Sequence, residues 1–266
     1  MNKITLCGAL LLAASAHARS VDELTRSGTP AQQGQAIVEE LGRRNSGWRD
    51  FSGDVEMELV DAAGGKARRS FSVKVLERPS AQDGDRSLIV FSSPSDIKGT
   101  AVLSYAHGSG EDEQWLYLAS SRRLKRVSAS NRSGAFVGSE FSFEDLTASD
   151  PRKYAWTLVG KQACGAGSCL VLEATPRDAS SAYSKRVVLV DSELRVQQIE
   201  LYDRKGQKLK TLAYADYEQL DGGYWRARAW SMKNAQSGKG TTLRFTTMKL
   251  RTGYGPSDFA PEKLGN

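Results

Sequence analysis

The chain changes hydrophobic period once, near residue 50, and that change separates a helical lead-in from a long run of strands. Between Val21 and Arg44, Ile37, Val38 and Leu41 fall on one side at helical spacing, which predicts a helix from Pro30 to Leu41 ended by Gly42. From Phe51 the period becomes two, with Phe51, Gly53, Val55, Met57 and Leu59 alternating with Ser52, Asp54, Glu56 and Glu58. Phe71, Val73 and Val75 alternate in the same way, and Ala62-Ala63-Gly64-Gly65-Lys66 supplies the turn of a hairpin. Further strands are predicted at Leu88–Phe91, Ala101–Tyr105, Gln114–Ala119, Leu124–Val127, Tyr154–Val159, Leu170–Ala174, Arg186–Val190, Val196–Tyr202, Lys208–Tyr214, Tyr224–Met232 and Thr241–Leu250. Their connections are polar and carry glycine, as in Gln82-Asp83-Gly84-Asp85, His107-Gly108-Ser109-Gly110 and Asp221-Gly222-Gly223.

This order describes a mainly β chain folded as one curved antiparallel meander. Twist accumulates over so many strands and bends an open sheet toward a half-open barrel. Phe51, Val55, Met57, Phe71, Val73, Leu103, Tyr105, Trp115, Tyr117 and Trp230 are the expected inner-face residues, either a filled core or the lining of a ligand cavity. The rhythm breaks from Ser128 to Leu146, a long segment in which Ser142 is placed to cap a short helix. Its apolar residues Phe136, Val137, Phe141 and Phe143 are the expected lid.

The N-terminus adds an export signal over residues 1–18. Lys3 is the positive start, Ile4 to Ala14 the apolar stretch and Ala16-His17-Ala18 the cleavage site. Cys7 lies inside it, too near the start for lipoprotein processing. Residues 19–266 then read as a single domain, because no linker or repeat divides them. Export predicts an oxidising compartment, the periplasm, where Cys164 and Cys169 across four small residues form a hairpin disulfide rather than a metal or redox pair.

The formal charge is +6 and mildly basic. The densest basic run is Arg122-Arg123-Leu124-Lys125-Arg126, readable as a solvated strand edge or as a contact for anionic head groups at a membrane. Export argues against nucleic acid as its partner. His107 sits in a turn, and no serine has the surroundings of a nucleophile, so a non-catalytic protein without metal or other cofactor is expected.

Several blocks resemble the LolA-like outer-membrane lipoprotein-sorting family: Ser93-Pro94-Ser95-Asp96-Ile97-Lys98-Gly99-Thr100-Ala101, Gln114 to Leu118, Arg122 to Val127, Phe136 to Leu146, Tyr202 to Gly206, Gly223-Tyr224-Trp225, Met232-Lys233-Asn234 and Ser257-Asp258-Phe259. The resemblance implies an incomplete β-barrel closed by helices, whose hydrophobic cavity shelters a lipid or lipoprotein acyl chain in the periplasm. It implies transient membrane contact, an inner-membrane donor and an outer-membrane acceptor, and a monomer. The alternative it leaves open is a periplasmic adaptor or sensor linked to an exporter of the resistance-nodulation-division type. No residue is carried over as the family's gating arginine.

Overall fold

The computed structural model describes residues 18–78, 83–108, 110–147, 150–165 and 167–265. The expected export signal lies outside these residues but for Ala18, as do Gln82 and Ser109 of the expected turns. Two helices come first, α1 (Val21–Thr25) and α2 (Pro30–Arg44). Thr29 caps α2 in a reciprocal arrangement with Gln32, and Pro30 takes the first helical position, where its missing N–H costs nothing. The helix passes Gly42 and stops only at Asn45. Its last turn is held by Glu40, which accepts from Arg43 at 2.7 Å and 2.8 Å and from Arg44 at 2.8 Å.

Thirteen strands follow: β1 (Asp50–Val60), β2 (Lys66–Leu76), β3 (Asp83–Ser93), β4 (Ala101–His107), β5 (Glu113–Leu118), β6 (Arg123–Arg126), β7 (Tyr154–Cys164), β8 (Gly167–Pro176), β9 (Tyr183–Val190), β10 (Val196–Asp203), β11 (Lys208–Leu220), β12 (Tyr224–Asn234) and β13 (Gly240–Leu250). Each coincides with a predicted strand, and several run further; β3 begins at Asp83, inside the expected turn. All pair antiparallel in one sheet, ordered β6-β5-β4-β3-β2-β1-β13-β12-β11-β10-β9-β8-β7. The sheet therefore has two meandering arms joined at its centre, where β13 returns to pair with β1 from Phe51↔Leu250 to Val60↔Gly240. The sheet is not closed: β6 and β7 are its two edges.

The arms curl toward each other and share one core. Phe71, Ile89 and Phe91 of the first arm pack in the same cluster as Leu201, Leu212, Met232 and Tyr183 of the second. A separate cluster joins α1 and α2, through Leu24, Ile37 and Val38, to Leu170, Leu172, Val188 and Val190 at the far end of the second arm. Gly34 makes this docking possible, because a Cβ there would meet the β7 backbone at 2.8 Å. A third cluster lies on the opposite face of the first arm, where the segment Tyr254–Leu264 covers Leu76, Leu88, Leu103, Tyr105 and Trp115.

Between β6 and β7, residues 127–147 and 150–153 lie along the open side of the sheet between its two edges, and residues 136–143 turn inward. Phe136 and Phe141 are fully buried, and the Phe136 ring lies 5.5 Å from that of Phe91. Polar bonds tie the segment to both arms. Gln114 Nε2 donates to the carbonyl of Phe143 at 2.9 Å, Ala182 N donates to Glu144 at 2.9 Å, and Glu140 N donates to Thr241 Oγ1 at 3.0 Å. The segment thus fills the gap that an unclosed sheet leaves and gives its buried backbone and carboxylates partners.

Candidate functional site

A cavity of about 740 Å³ lies at the opposite end of the half-barrel from the inserted segment, beneath the C-terminus of α2. Its floor is the inner face of the central strands: Phe51 of β1, Val73 and Val75 of β2, Phe245 and Met248 of β13, Trp230 of β12, Tyr214 of β11 and Ile199 of β10. Its roof is Leu41, Trp48 and Leu194. The floor is a continuous aromatic surface, with Tyr214 to Trp230 at 5.3 Å, Trp230 to Phe245 at 5.4 Å and Phe245 to Phe51 at 6.0 Å between ring centres. Gly53 lies between the Phe51 and Phe245 rings, each 3.2 Å from where a Cβ would stand, so the missing side chain lets the two rings close over the strand. Trp230 Nε1 is satisfied by the carbonyl of Ala227 at 3.1 Å. Burial pushes the hydroxyl of Tyr214 well above its ordinary range, so it stays neutral. The result is an apolar chamber of a size that holds a single small ligand.

Four arginines stand at its mouth: Arg43, Arg44, Arg195 and Arg226. Arg195 pairs with Asp191 at 2.8 Å and lies over the rings of Trp225 and Tyr217 at 5.0 Å and 5.5 Å. Arg226 lies over Trp48 at 5.4 Å.

Of the residues expected on the inner face, Phe51, Val73 and Trp230 line this cavity. Val55, Met57 and Phe71 lie deeper along the same face in the filled core, all buried. Leu103, Tyr105, Trp115 and Tyr117 correct the expectation: they point to the other face. There the first three pack against the C-terminal segment, Tyr105 donates to the carbonyl of Phe259 at 2.5 Å, and Tyr117 lies against Gly265. Val102 and Leu116 take the inner face in their place.

The expected lid residues Phe136, Val137, Phe141 and Phe143 all pack into the main core, and none lines the cavity. Ser142 makes no helix cap of the expected kind; its N–H and hydroxyl both donate to Asp145 at 2.8 Å ahead of a short 3-10 turn, Glu144–Leu146. Arg122 sits in the turn before β6, and Arg123, Lys125 and Arg126 are exposed on that edge strand. Strand alternation divides them, Arg126 sharing a face with Trp115 and Lys125 sharing one with Leu116. The Cys164–Cys169 disulfide is formed at the β7–β8 hairpin end, with 5.7 Å between Cα atoms.

One constellation resembles a nucleophile with its activators: Ser142, Tyr183, Lys210 and Asp145. Tyr183 lies 3.3 Å from both Ser142 Oγ and Lys210 Nζ and donates to Asp145 at 2.8 Å. Ser142 is 1% exposed and its hydroxyl is committed to Asp145. Burial, then the Asp145 charge, push Tyr183 far above its ordinary range, leaving it a fixed neutral donor. The group is a buried tether between the inserted segment and β9 and β11, with no access for a substrate. His107 makes a 3.3 Å contact with Glu113 at a strand end.

The cavity residues that the sequence reading missed include Leu41, Trp48, Val75, Leu194, Ile199, Tyr214, Phe245, Met248 and the four arginines. Period-two alternation marks most of the strand positions. Nothing local marks the arginines, which lie in α2, the β9–β10 turn and β12 and meet because α2 docks on the second arm, in which β9 to β12 lie in order.

Comparison with known proteins follows the same outline. A family model described as "-like: Uncharacterized protein" matches residues 83–266. An outer membrane lipoprotein-sorting protein domain from Vibrio parahaemolyticus is 39% identical, with a TM-score of 0.86, over 89% of this chain and 100% of that one. A DUF1329 family protein from Desulfovibrio piger is 24% identical, with a TM-score of 0.84, over 89% of this chain and 100% of that one. A LolA superfamily protein from Nitrosomonas europaea is 21% identical, with a TM-score of 0.68, over 85% and 97% of the two chains. The latter two share the fold. No curated protein matches the chain.

Proposed function

Because the chain belongs to the outer-membrane lipoprotein-sorting family of LolA-like proteins, we propose that it is a non-catalytic periplasmic carrier that shelters the acyl part of a lipid or lipoprotein in the cavity beneath α2. The observation that carries this reading is the unfilled aromatic floor. A sheet that needed only a core would have closed on Tyr214, Trp230 and Phe245 as it closes on Phe91 and Phe136. Burial of acyl methylenes on such a surface is favourable by about 0.8 kcal/mol each without fixed geometry, so a chain can be both held and released. A disulfide suits an oxidising compartment. The donor and acceptor would be membranes or membrane proteins met transiently.

Lipid extracted from the protein purified out of the periplasm, identified by mass spectrometry, tests this. About one lipid per chain, or uptake of lipid from vesicles by the stripped protein, is expected. Absence of both would overturn the carrier and favour an envelope adaptor or sensor.

A further inference from the structure

We propose that the mouth of the cavity is an anion-binding subsite, with Arg226 as its main contact and Arg195 as its second, so that the preferred occupant is an amphiphile with an anionic head group. The inference rests on the carrier reading and adds the chemistry of the head. Three of the four mouth arginines already have carboxylates: Arg43 and Arg44 share Glu40, and Arg195 has Asp191 at 2.8 Å and Glu193 at 3.5 Å. Arg226 has no carboxylate within 4.0 Å among the described residues, although it is half-buried.

Its Nη1 donates to Asn45 Oδ1 at 2.6 Å and to the carbonyl of Trp225 at 2.9 Å, and its Cζ lies over the rings of Trp48 at 5.4 Å and Tyr224 at 5.9 Å. The remaining N–H groups of the fork have no protein acceptor among the described residues. A guanidinium taken partly out of water and left without a counter-ion is costly. Burial holds its pKa below the usual range, and Asp85 and Glu77 offset that only in part. A structural arginine would be paired; one fixed through Nη1 and set beside two aromatic rings at the rim of an apolar chamber is prepared for a carboxylate or phosphate, which its fork matches in two parallel bonds. An acyl chain on Phe51, Trp230 and Phe245 would place its head there.

The test uses the purified, delipidated protein and the tryptophan fluorescence of Trp48, Trp225 and Trp230, titrated with dodecanoate, dodecyl phosphate, dodecanol and inorganic phosphate. The two anionic amphiphiles should bind at least about tenfold more tightly than dodecanol. Arg226→Gln should remove most of that ratio, Arg226→Lys should keep part of it, and Arg195→Gln should reduce it. Equal binding of dodecanoate and dodecanol by the wild type overturns the subsite and leaves the carrier standing. Binding of none of the amphiphiles overturns the carrier, and the subsite with it. Displacement of dodecyl phosphate by equimolar inorganic phosphate would show a free-anion site and overturn the choice of an amphiphile. An undiminished ratio in Arg226→Gln overturns the assignment to Arg226; should that variant not fold, an undiminished ratio in Arg226→Lys does so, and an undiminished ratio in Arg195→Gln overturns Arg195 as the second contact.

Discussion

Replacing Phe136 by alanine separates two physical roles for the inserted segment. A lid would be an exposed flap whose loss changes ligand release and leaves stability alone. In the structure Phe136 is 0% exposed, 5.5 Å from the ring of Phe91 and 6.0 Å from that of Phe143. Removing a buried phenylalanine ring costs about 3–5 kcal/mol when its surroundings cannot collapse. Collapse is resisted here, because the segment is pinned before the ring by Arg132 to Ser180 and Asp178, and after it by Glu140 to Thr241 and Asn234. About 4 kcal/mol is therefore expected, a large share of the roughly 5–15 kcal/mol that holds a protein folded. Urea unfolding followed by circular dichroism measures it, with Leu124→Ala as the exposed control expected to change stability by less than about 0.5 kcal/mol. A loss below about 1 kcal/mol for Phe136→Ala, together with faster release of a bound lipid, would refute the plug and restore the lid.

Val73→Trp puts an indole into the cavity from a position opposite Gly53 and Ile89; the variant should fold, lose no more than about 1–3 kcal/mol to overpacking and retain little of the lipid seen by mass spectrometry. Unchanged lipid content would place the ligand elsewhere. Removing the disulfide with Cys164→Ala and Cys169→Ala should cost about 2 kcal/mol, since the bridge closes a loop of only six residues, and should leave binding intact; thermal unfolding and the fluorescence titration check both halves. The hydrogen bond from Arg43, working against the cost of burial, and then Arg44 hold the Glu40 carboxyl at about 2 against an ordinary 4.5. Its contribution is thus complete above pH 4.5 and drains away as pH falls toward 2. Glu40→Gln should lower stability at pH 7 by roughly 1–2 kcal/mol, solvent screening of the two arginines limiting the effect, and flatten the acid limb of urea midpoints measured between pH 4.5 and 2. An equally steep limb in the variant would contradict the pairing.

Strand positions were legible because alternation is a local property, and the first hairpin shows why it also chose the right face. There Val55 and Met57 are set against Asp54 and Glu56, and a charged side cannot turn inward. On β4 and β5 the same rule had nothing to choose between. Val102, Leu103, Tyr105, Trp115 and Leu116 make both faces apolar, because residues more than a hundred positions later cover the outer one. An uncharged strand with two apolar faces signals a second covering layer, and Phe259, Tyr254 and Leu264 are that layer. The helix end was misplaced for a different reason: Gly42 weakens α2, but the Glu40 pairs one turn on outweigh it.

The lid and the cavity went astray together. Three phenylalanines in eight residues are more apolar surface than a solvated flap tolerates, so the composition of residues 136–143 already argued for insertion, although not for where. The destination follows from topology. Because the chain leaves β6 and re-enters at β7, the two free edges of one curved sheet, the crossing segment must span the open side. Its aromatics then fill the end of the barrel nearest Met57, Leu212 and Thr241. α1 and α2 are committed to the far end of the second arm by Gly34 and the cluster around Leu172. Neither covering element reaches the floor between Phe51, Tyr214 and Phe245. The chamber is what remains when two plugs close a half-barrel from different directions. Its mouth falls where the end of α2, the β9–β10 turn and the start of β12 converge, which is why arginines so distant in sequence stand around one opening.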